Sequence, residues 1–283
     1  MSKTRKAKKP AKKKPKGAQP SWLRPQSVVF TLLAEHLLDR ERALYSGSFI
    51  EVLGRTGIGE HATRSTLARM VRRGLLERRR SGRKIYFAMT PRCIAILEDG
   101  RQRIWHTGAV NLAKTNRWTI LTFSLPQAWR KRRYDLVSRL TWAGFGPLQN
   151  GVWLAPTEID VRPILDELQL DAYVRAFQMS AIPPTDPASV IRETFDLDAL
   201  AKRYRAFCTT WQNADEAPDA LVLTLKLSTQ WLRIIREDPR VPAHLLPPDW
   251  PAFEAQQLFR SLHKTHDRSA TAIASGVLDT IAL

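Results

Sequence analysis

Positive charge is concentrated at the start of this chain, and it limits how that part can fold. Residues 1–17 contain nine Lys or Arg, no acidic residue and no periodic apolar pattern. A segment of this composition cannot bury enough apolar surface to offset the entropy of ordering it. The sequence therefore predicts a disordered basic arm over residues 1–24, with the first folded helix after it.

Most of the net charge of +18 belongs to the first third of the 283 residues. Residues 1–17 carry +9 and residues 18–92 carry +8, whereas the other 191 residues are nearly neutral. A basic module attached to a neutral remainder is typical of a protein that docks on nucleic acid. A solubilising tail or adhesion to an anionic membrane would explain the arm equally well, so these alternatives stay open.

The apolar spacing in residues 25–112 predicts a winged helix-turn-helix domain. Apolar residues recur at helical intervals in residues 27–37, 49–53 and 60–73, and glycines interrupt the pattern at residues 54–59. Two short helices joined by such a turn form a helix-turn-helix, although plain helix bundles contain the same pattern. The basic run at residues 75–89 predicts a β-hairpin, which would be the wing.

The third predicted helix carries most of the candidate DNA-binding residues. Thr63, Leu67 and Met70 form its inward face, so the opposite face is expected to meet base edges and phosphates. Arg64 is the first choice for reading a base, because a guanidinium can donate to O6 and N7 of guanine together. Wing cations would contact the backbone or the minor groove. The alternative for each of these residues is a solvated surface side chain; the predicted DNA-binding set is His61, Arg64, Ser65, Arg69, Arg72, Arg73, Arg80, Arg83 and Lys84.

The remainder of the chain predicts two further domains, which makes the fold class α+β. Residues 113–184 have the order β-α-β-β-α-β, with a hairpin around Asn150 and Gly151, and this order is typical of a ferredoxin-like domain. We expect this domain to pair subunits. Residues 185–266 predict a helical C-terminal domain, and residues 267–283 are left as a tail without an assigned structure.

The sequence offers little for catalysis or metal binding. A metal-dependent nuclease would need carboxylates for its divalent cation, and the predicted first strand of the ferredoxin-like domain is followed by Ser124. His263 and His266 lack a third ligand, so a solvent-facing helix end is predicted instead of a metal site. We therefore predict a non-enzyme without cofactor or metal. A nuclease and a non-specific nucleoid-associated protein are the alternatives.

Two features of the sequence predict the location of the protein in the cell. The two cysteines, Cys93 and Cys208, lie far apart and are expected to be free thiols in a reducing compartment. The sequence contains no run of about 18 consecutive apolar residues, so no membrane span is predicted. A cytoplasmic protein associated with the nucleoid is the expectation.

Four segments in order carry a resemblance to a known family. They are GIGEHATRSTLARMVRRGLLERRRSGRKIYFAMT, LTWAGFGPLQNGVWLAP, TFDLDALAKRYRAF and DPRVPAHLLPPDWP. Over roughly residues 26–265 the chain resembles the PaaX-like repressor family, the regulators of phenylacetate catabolism. The resemblance implies a winged helix, a ferredoxin-like central domain similar to a small CRISPR-associated nuclease, and a helical C-terminal domain.

The same resemblance implies a biological role. It implies operator binding as a homodimer, repression of an aromatic-acid catabolic operon, and release by an aryl-acetyl-CoA effector such as phenylacetyl-CoA. A coenzyme A ester needs cations for its phosphates and an apolar slot for its acyl group. Arg203, Arg205 and Arg233 lie near aromatic residues, but nothing in the sequence singles them out. The effector-binding residues therefore stay unassigned.

Overall fold

The computed structural model describes Pro20, residues 22–214 and residues 219–283. Within this part the chain forms ten α-helices and two four-stranded antiparallel sheets, so the predicted α+β class is confirmed. Most of the predicted basic arm, residues 1–19 and 21, lies outside the described residues.

The N-terminal unit combines four helices with a small sheet. Its first helix buries Val28, Val29 and Leu32 at helical spacing, and Pro25 occupies a position where a missing N–H costs nothing. Gly74 has φ +66°, a left-handed conformation that ends the third helix. The elements are α1 Pro25–His36, β1 Arg42–Tyr45, α2 Ser46–Arg55, α3 Glu60–Arg72, β2 Leu76–Ser81, β3 Lys84–Met89 and α4 Pro91–Gln102.

The sheet of this unit contains a strand from the far end of the chain. Its order is β2-β3-β1-β8, where β8 is Thr280–Ala282. Strand β1 pairs with β8 through Ala43 and Ile281, and with β3 through Leu44 and Phe87. Neither β1 nor β8 is predicted by the sequence pattern, because three or four residues are too few for the alternation that identifies a strand.

The assignment of residues 267–283 as a separate tail is wrong for the described structure. Helix α10, Ala252–Val277, crosses residue 266 without a break and leads into β8. Ala270 and Ala274 are buried on this extension, and Ala274 joins the core of the N-terminal unit. These side chains are small, so the apolar face that continues the helix is hard to recognise from sequence. The other predicted domain boundaries remain predictions.

The central unit places two helices on one face of the second sheet. Its strand order is β5-β6-β4-β7, and Gly151 at φ +75° forms the predicted hairpin turn. Along the strand Arg117–Phe123, Leu121 and Phe123 face the helices, while Trp118 and Ile120 pack on the opposite face. The elements are β4 Arg117–Phe123, α5 Arg130–Trp142, β5 Gly146–Gln149, β6 Val152–Ala155, α6 Arg162–Leu168 and β7 Val174–Ser180.

The C-terminal helices are α7 Pro187–Thr194, α8 Leu197–Trp211, α9 Ala220–Glu237 and α10. Their core is aromatic: the rings of Trp231 and Phe259 stack with centroids 5.0 Å apart. Helix α9 also packs on α1, because Leu221 belongs to the N-terminal core and Thr31 Oγ1 lies 2.9 Å from Thr229 Oγ1. The first and last parts of the chain therefore share one apolar core.

Candidate nucleic-acid interface

Helices α2 and α3 are joined by a short turn with a buried centre. Gly57 has φ +97°, which favours glycine, and the next residue, Ile58, is buried in the core. Thr56 Oγ1 donates a 2.7 Å hydrogen bond to the carbonyl oxygen of Leu53. These contacts fix the turn, so the position of α3 follows from that of α2.

Helix α3 has one buried face and one exposed, basic face. Thr63, Leu67 and Met70 are buried against the core, in agreement with the predicted inward face. The opposite face is open to solvent along the full length of the helix. It presents six members of the predicted DNA-binding set, all exposed: His61, Arg64, Ser65, Arg69, Arg72 and Arg73.

The ion pairs and hydrogen bonds of these arginines are weak enough to be replaced by contacts with DNA. Arg64 forms an ion pair of 2.7 Å with Glu60, one turn earlier, and both side chains are more than half exposed. An exposed pair at this spacing contributes only about 0.5 kcal/mol. Arg69 donates a 3.2 Å hydrogen bond to Thr66 Oγ1, and Arg73 a long 3.5 Å bond to Gln26. The guanidinium groups can therefore leave these partners at little cost.

A basic hairpin follows α3 directly. Strands β2 and β3 pair over six residues, and Gly82 at φ +57° forms the tip. Arg80 donates a 3.1 Å hydrogen bond to the carbonyl oxygen of Gly82, and Arg83 at the tip is exposed. The hairpin therefore presents further exposed cations directly after α3 in the chain.

Lys84 is less free than its neighbours on the hairpin. Its Nζ lies 2.8 Å from Asp279 Oδ2, and this hydrogen bond raises the pKa of Lys84. Asp279 also accepts a 3.3 Å hydrogen bond from the hydroxyl of Tyr86. A contact between Lys84 and a phosphate would therefore replace an existing ion pair.

Three family models match consecutive parts of the chain. Residues 24–93 match the model "PaaX-like protein", residues 112–191 match "PaaX protein central Cas2-like domain", and residues 195–276 match "PaaX-like protein C-terminal domain". Together the three matches cover most of the sequence in the order that the family has. The chain belongs to the PaaX-like family.

A curated relative and a solved structure agree with this assignment. The PaaX-like chain is 25% identical over 266 residues to the transcriptional repressor PaaX of Escherichia coli strain K12, covering 88% of this chain and 82% of the relative. It is also similar to the structure of uncharacterized protein Rv0674 from Mycobacterium tuberculosis, with a TM-score of 0.58 and 21% identity over 89% of this chain and 99% of that one. The second comparison supports the fold alone.

The structure adds two cations to the interface that the predicted set omits. Arg78 and Arg79 on β2 of the PaaX-like chain are exposed, and Arg79 forms a 3.0 Å ion pair with Glu77. The signal for them is the run of three consecutive arginines before the hairpin tip. Every residue of β2 after Leu76 is exposed, so side chains on both of its faces reach solvent.

The predicted exposure of the two C-terminal histidines is wrong for His263. Its side chain is only 13% exposed, lies 3.6 Å from Glu35 and packs edge-on against Trp105. Its role is therefore interhelical packing between α10 and α1. In the described residues no three His, Cys, Asp or Glu side chains are grouped to hold a metal ion, and no helix there has the length and apolarity to span a bilayer.

Proposed function

We propose that this chain is a sequence-specific DNA-binding transcriptional repressor, acting in the cytoplasm at the nucleoid, with residues 25–112 as a winged helix-turn-helix. The observation that carries this proposal is the set of exposed arginines on α3 together with the exposed cations of the β2–β3 hairpin that follows it directly. The repressor role of the Escherichia coli relative supports it. We assign no catalytic step to the protein.

In this proposal α3 lies in the major groove and the hairpin follows the backbone or the minor groove. Arg64, near the first turn of α3, donates to a guanine edge after releasing Glu60. Arg69, Arg72 and Arg73, towards the end of the helix, contact phosphates. Arg80, Arg83 and Lys84 do so from the wing, while His61 and Ser65 lie beside Arg64 on the groove-facing side.

The central unit would pair two subunits as a ferredoxin-like domain. Its strand order and antiparallel pairing are those of the split βαβ arrangement, and β7 is an edge strand whose residues after Val174 are exposed. Phe177 and Met179 are each about half exposed on that strand, which suits a surface covered by a second copy. A homodimer would hold two winged helices at the spacing of two operator half-sites.

We further propose that an acyl-CoA effector such as phenylacetyl-CoA releases the operator of an aromatic-acid catabolic operon. The support for this part is the resemblance to the PaaX-like family, whose models match the chain. Release requires that the effector bind the DNA-free arrangement more tightly than the DNA-bound one, because only differential affinity shifts an equilibrium. Phenylacetyl-CoA should therefore weaken operator binding.

The test is DNA binding by fluorescence anisotropy at several salt concentrations. The probes are the promoter fragment beside the chain's own gene and a shuffled fragment of equal length. Substitution R64A should cost about 1–3 kcal/mol on the operator and reduce discrimination between the two fragments. R83Q should weaken binding to both fragments about equally and reduce the salt slope by about one unit. R162Q, which removes an exposed arginine of the central unit, is the matched control and should change nothing.

Two outcomes would favour the alternative functions. Equal affinity for both fragments at matched salt would indicate a non-specific nucleoid-associated protein. Cleavage of labelled nucleic acid in Mg²⁺ or Mn²⁺, abolished by EDTA, would indicate a nuclease on the central sheet. Ser124 at the end of β4 offers no carboxylate for such an ion, so we expect no cleavage.

A further inference from the structure

A large cleft lies where the three family-model segments meet. Its volume is about 1930 Å³, and it is lined by residues of α1, α3 and α4, of α5 and α6, and of α9 and α10. Ligand sites occur preferentially at such junctions between domains, where an occupant contacts several units at once. We call this space the junction cleft.

Two arginines in the junction cleft converge on one tryptophan. The guanidinium carbon of Arg103 lies 4.0 Å from the ring centre of Trp142, and that of Arg236 lies 4.7 Å from the same ring. Arg103 also lies 3.3 Å from Asp99, whereas Arg236 has no ion pair within 4.0 Å among the described residues. The tryptophan therefore holds two positive charges close together, and only that of Arg103 is paired with a carboxylate among the described residues.

Arg236 has the environment of an anion-binding group. Its side chain reaches solvent in the cleft, yet burial among neighbouring atoms lowers its pKa, Glu237 opposes the shift, and the charge of Arg103 adds to it. A guanidinium remains charged at neutral pH even with such a shift. An anion in contact with both arginines would relieve their mutual repulsion, which gives the cleft a preference for ligands with more than one negative charge.

The wall of the junction cleft on α9 contains a buried hydroxyl without a partner. Ser228, Leu232 and Arg236 are four residues apart and line the cleft as one stripe of the helix. Ser228 is 2% exposed, and its Oγ has no hydrogen-bond partner among the described residues. Buried hydroxyls are normally satisfied, so this one points to a group that is supplied by a ligand.

Apolar side chains are exposed in the same space. Tyr134 of α5 is 73% exposed, Ile96 of α4 is 42% exposed, and Trp105 is 37% exposed. Arg260 donates a 3.2 Å hydrogen bond to the carbonyl oxygen of Trp105, which fixes the backbone beside that ring. The cleft therefore offers apolar contact surface together with cations.

We propose that the junction cleft binds a phosphate-bearing organic anion with an apolar group, with Arg103 and Arg236 on the phosphates and Ser228 as an additional donor. This site rests on the proposed function in one respect, since the ligand is taken to be the effector that controls the repressor. Arg72 and Arg73, the last residues of the basic α3 segment, line the same cleft. An occupant therefore contacts the unit that presents Arg64 to DNA.

Three arginines near aromatic residues in the sequence, Arg203, Arg205 and Arg233, are engaged elsewhere. Arg203 and Arg233 form ion pairs with Glu237, and Arg205 forms one with Asp249. None of the three arginines lines the junction cleft. Arg233, which lies on α9 with Arg236, therefore serves as the matched control.

The test measures ligand binding to the full chain without DNA by isothermal titration calorimetry. The probes are coenzyme A, inorganic pyrophosphate and phenylacetate. We expect coenzyme A to bind most tightly, pyrophosphate more weakly, and phenylacetate, which has no phosphate, weakest of the three. R236Q and R103Q should weaken coenzyme A binding by about tenfold to a hundredfold, because each removes charge-assisted hydrogen bonds. R233Q, an exposed arginine one turn from Arg236, should leave the affinity unchanged.

S228A provides a second arm that does not depend on charge. The unpartnered hydroxyl of Ser228 contributes no internal hydrogen bond, so the urea midpoint of S228A should not fall. The affinity of S228A for coenzyme A should fall severalfold. The proposal is overturned if no phosphate-bearing probe binds the folded chain, or if R236Q and R233Q behave alike.

Operator binding separates this proposal from the proposed function. If R236Q weakens operator binding without ligand as much as R83Q does, the cleft belongs to the DNA surface and the proposal is wrong. If coenzyme A binds through Arg236 while R64A leaves DNA binding unchanged, the ligand site stands and the proposed function fails. If R64A loses DNA binding but no phosphate-bearing probe binds the unsubstituted chain, the proposed function stands and only the ligand site is wrong.

Discussion

Ser48 joins the start of the chain to its end, and S48A tests that junction. Its side chain is 3% exposed; Oγ donates a 2.8 Å hydrogen bond to the carbonyl oxygen of Val277 and accepts one of 3.0 Å from the amide of Asp279. Alanine leaves both backbone groups without a partner at the end of α10. At a net 0.5–1.5 kcal/mol per hydrogen bond, S48A should destabilise the chain by about 1–3 kcal/mol.

Urea denaturation and amide hydrogen exchange measure the effect. S48A should lower the urea midpoint and speed exchange at residues 279–282, because β8 loses its anchor on α2. S275A is the control: Ser275 is exposed, and among the described residues its hydroxyl bonds only to the carbonyl oxygen of Thr271 in its own helix, so the loss of stability should stay within about 0.5 kcal/mol. The reasoning is refuted if the two variants have equal midpoints and β8 keeps its protection.

Three further predictions concern charge, pH and thiol reactivity. D279N should raise DNA affinity by up to about fivefold, since Lys84 no longer has to give up an exposed ion pair to reach a phosphate. Burial raises the pKa of Asp238 to about 6, so the folded chain binds the carboxyl proton of Asp238 more tightly than the unfolded chain does. The contribution of Asp238 to the free energy of unfolding therefore falls as pH rises from about 4 to 6. D238N should therefore remove up to about 3 kcal/mol of pH dependence in that window, measured by urea midpoints. Burial raises the pKa of Cys93 to about 11, so a thiol reagent should modify the half-buried Cys208 first, measured by absorbance.

Each of these predictions has a matched control. The gain from D279N should disappear in the double variant with K84Q, and a gain that persists would exclude this ion pair as the cause. D249N replaces an exposed aspartate and should leave the pH dependence intact; an equal change in both variants would contradict the assignment to Asp238. In C208S the folded chain should react only after denaturant is added, and rapid reaction would show that Cys93 is accessible.

Long periodic segments of this fold were predictable from the sequence, and short or small-residue segments were not. The predicted third helix, residues 60–73, matches Glu60–Arg72 because Leu67 and Met70 mark a clear inward face. Strand β1 escaped prediction because it is four residues long and depends on partners distant in sequence. The continuation of α10 past residue 266 was not predicted because its buried side chains are small alanines. Tertiary pairing, not local pattern, determines these elements.

The same division applies to the two candidate sites. All nine predicted DNA-binding residues are exposed on α3 and the hairpin, because helical period and a glycine turn are local properties. The ion pair of Lys84 with Asp279 joins residues 195 positions apart, so no local pattern indicates it. Likewise, Arg103, Trp142 and Arg236 are far apart in the sequence and meet only after the segments that carry them have packed.

The placement of β8 beside β1 has a consequence for biosynthesis. While the chain is being made, the first sheet lacks its fourth strand until residues 280–282 leave the ribosome. During that time the backbone of β1 is an open edge, and open edges recruit foreign strands. A fragment limited to residues 25–112 would keep this edge permanently. A version of the isolated domain that stays monomeric would need the last strand grafted back onto it.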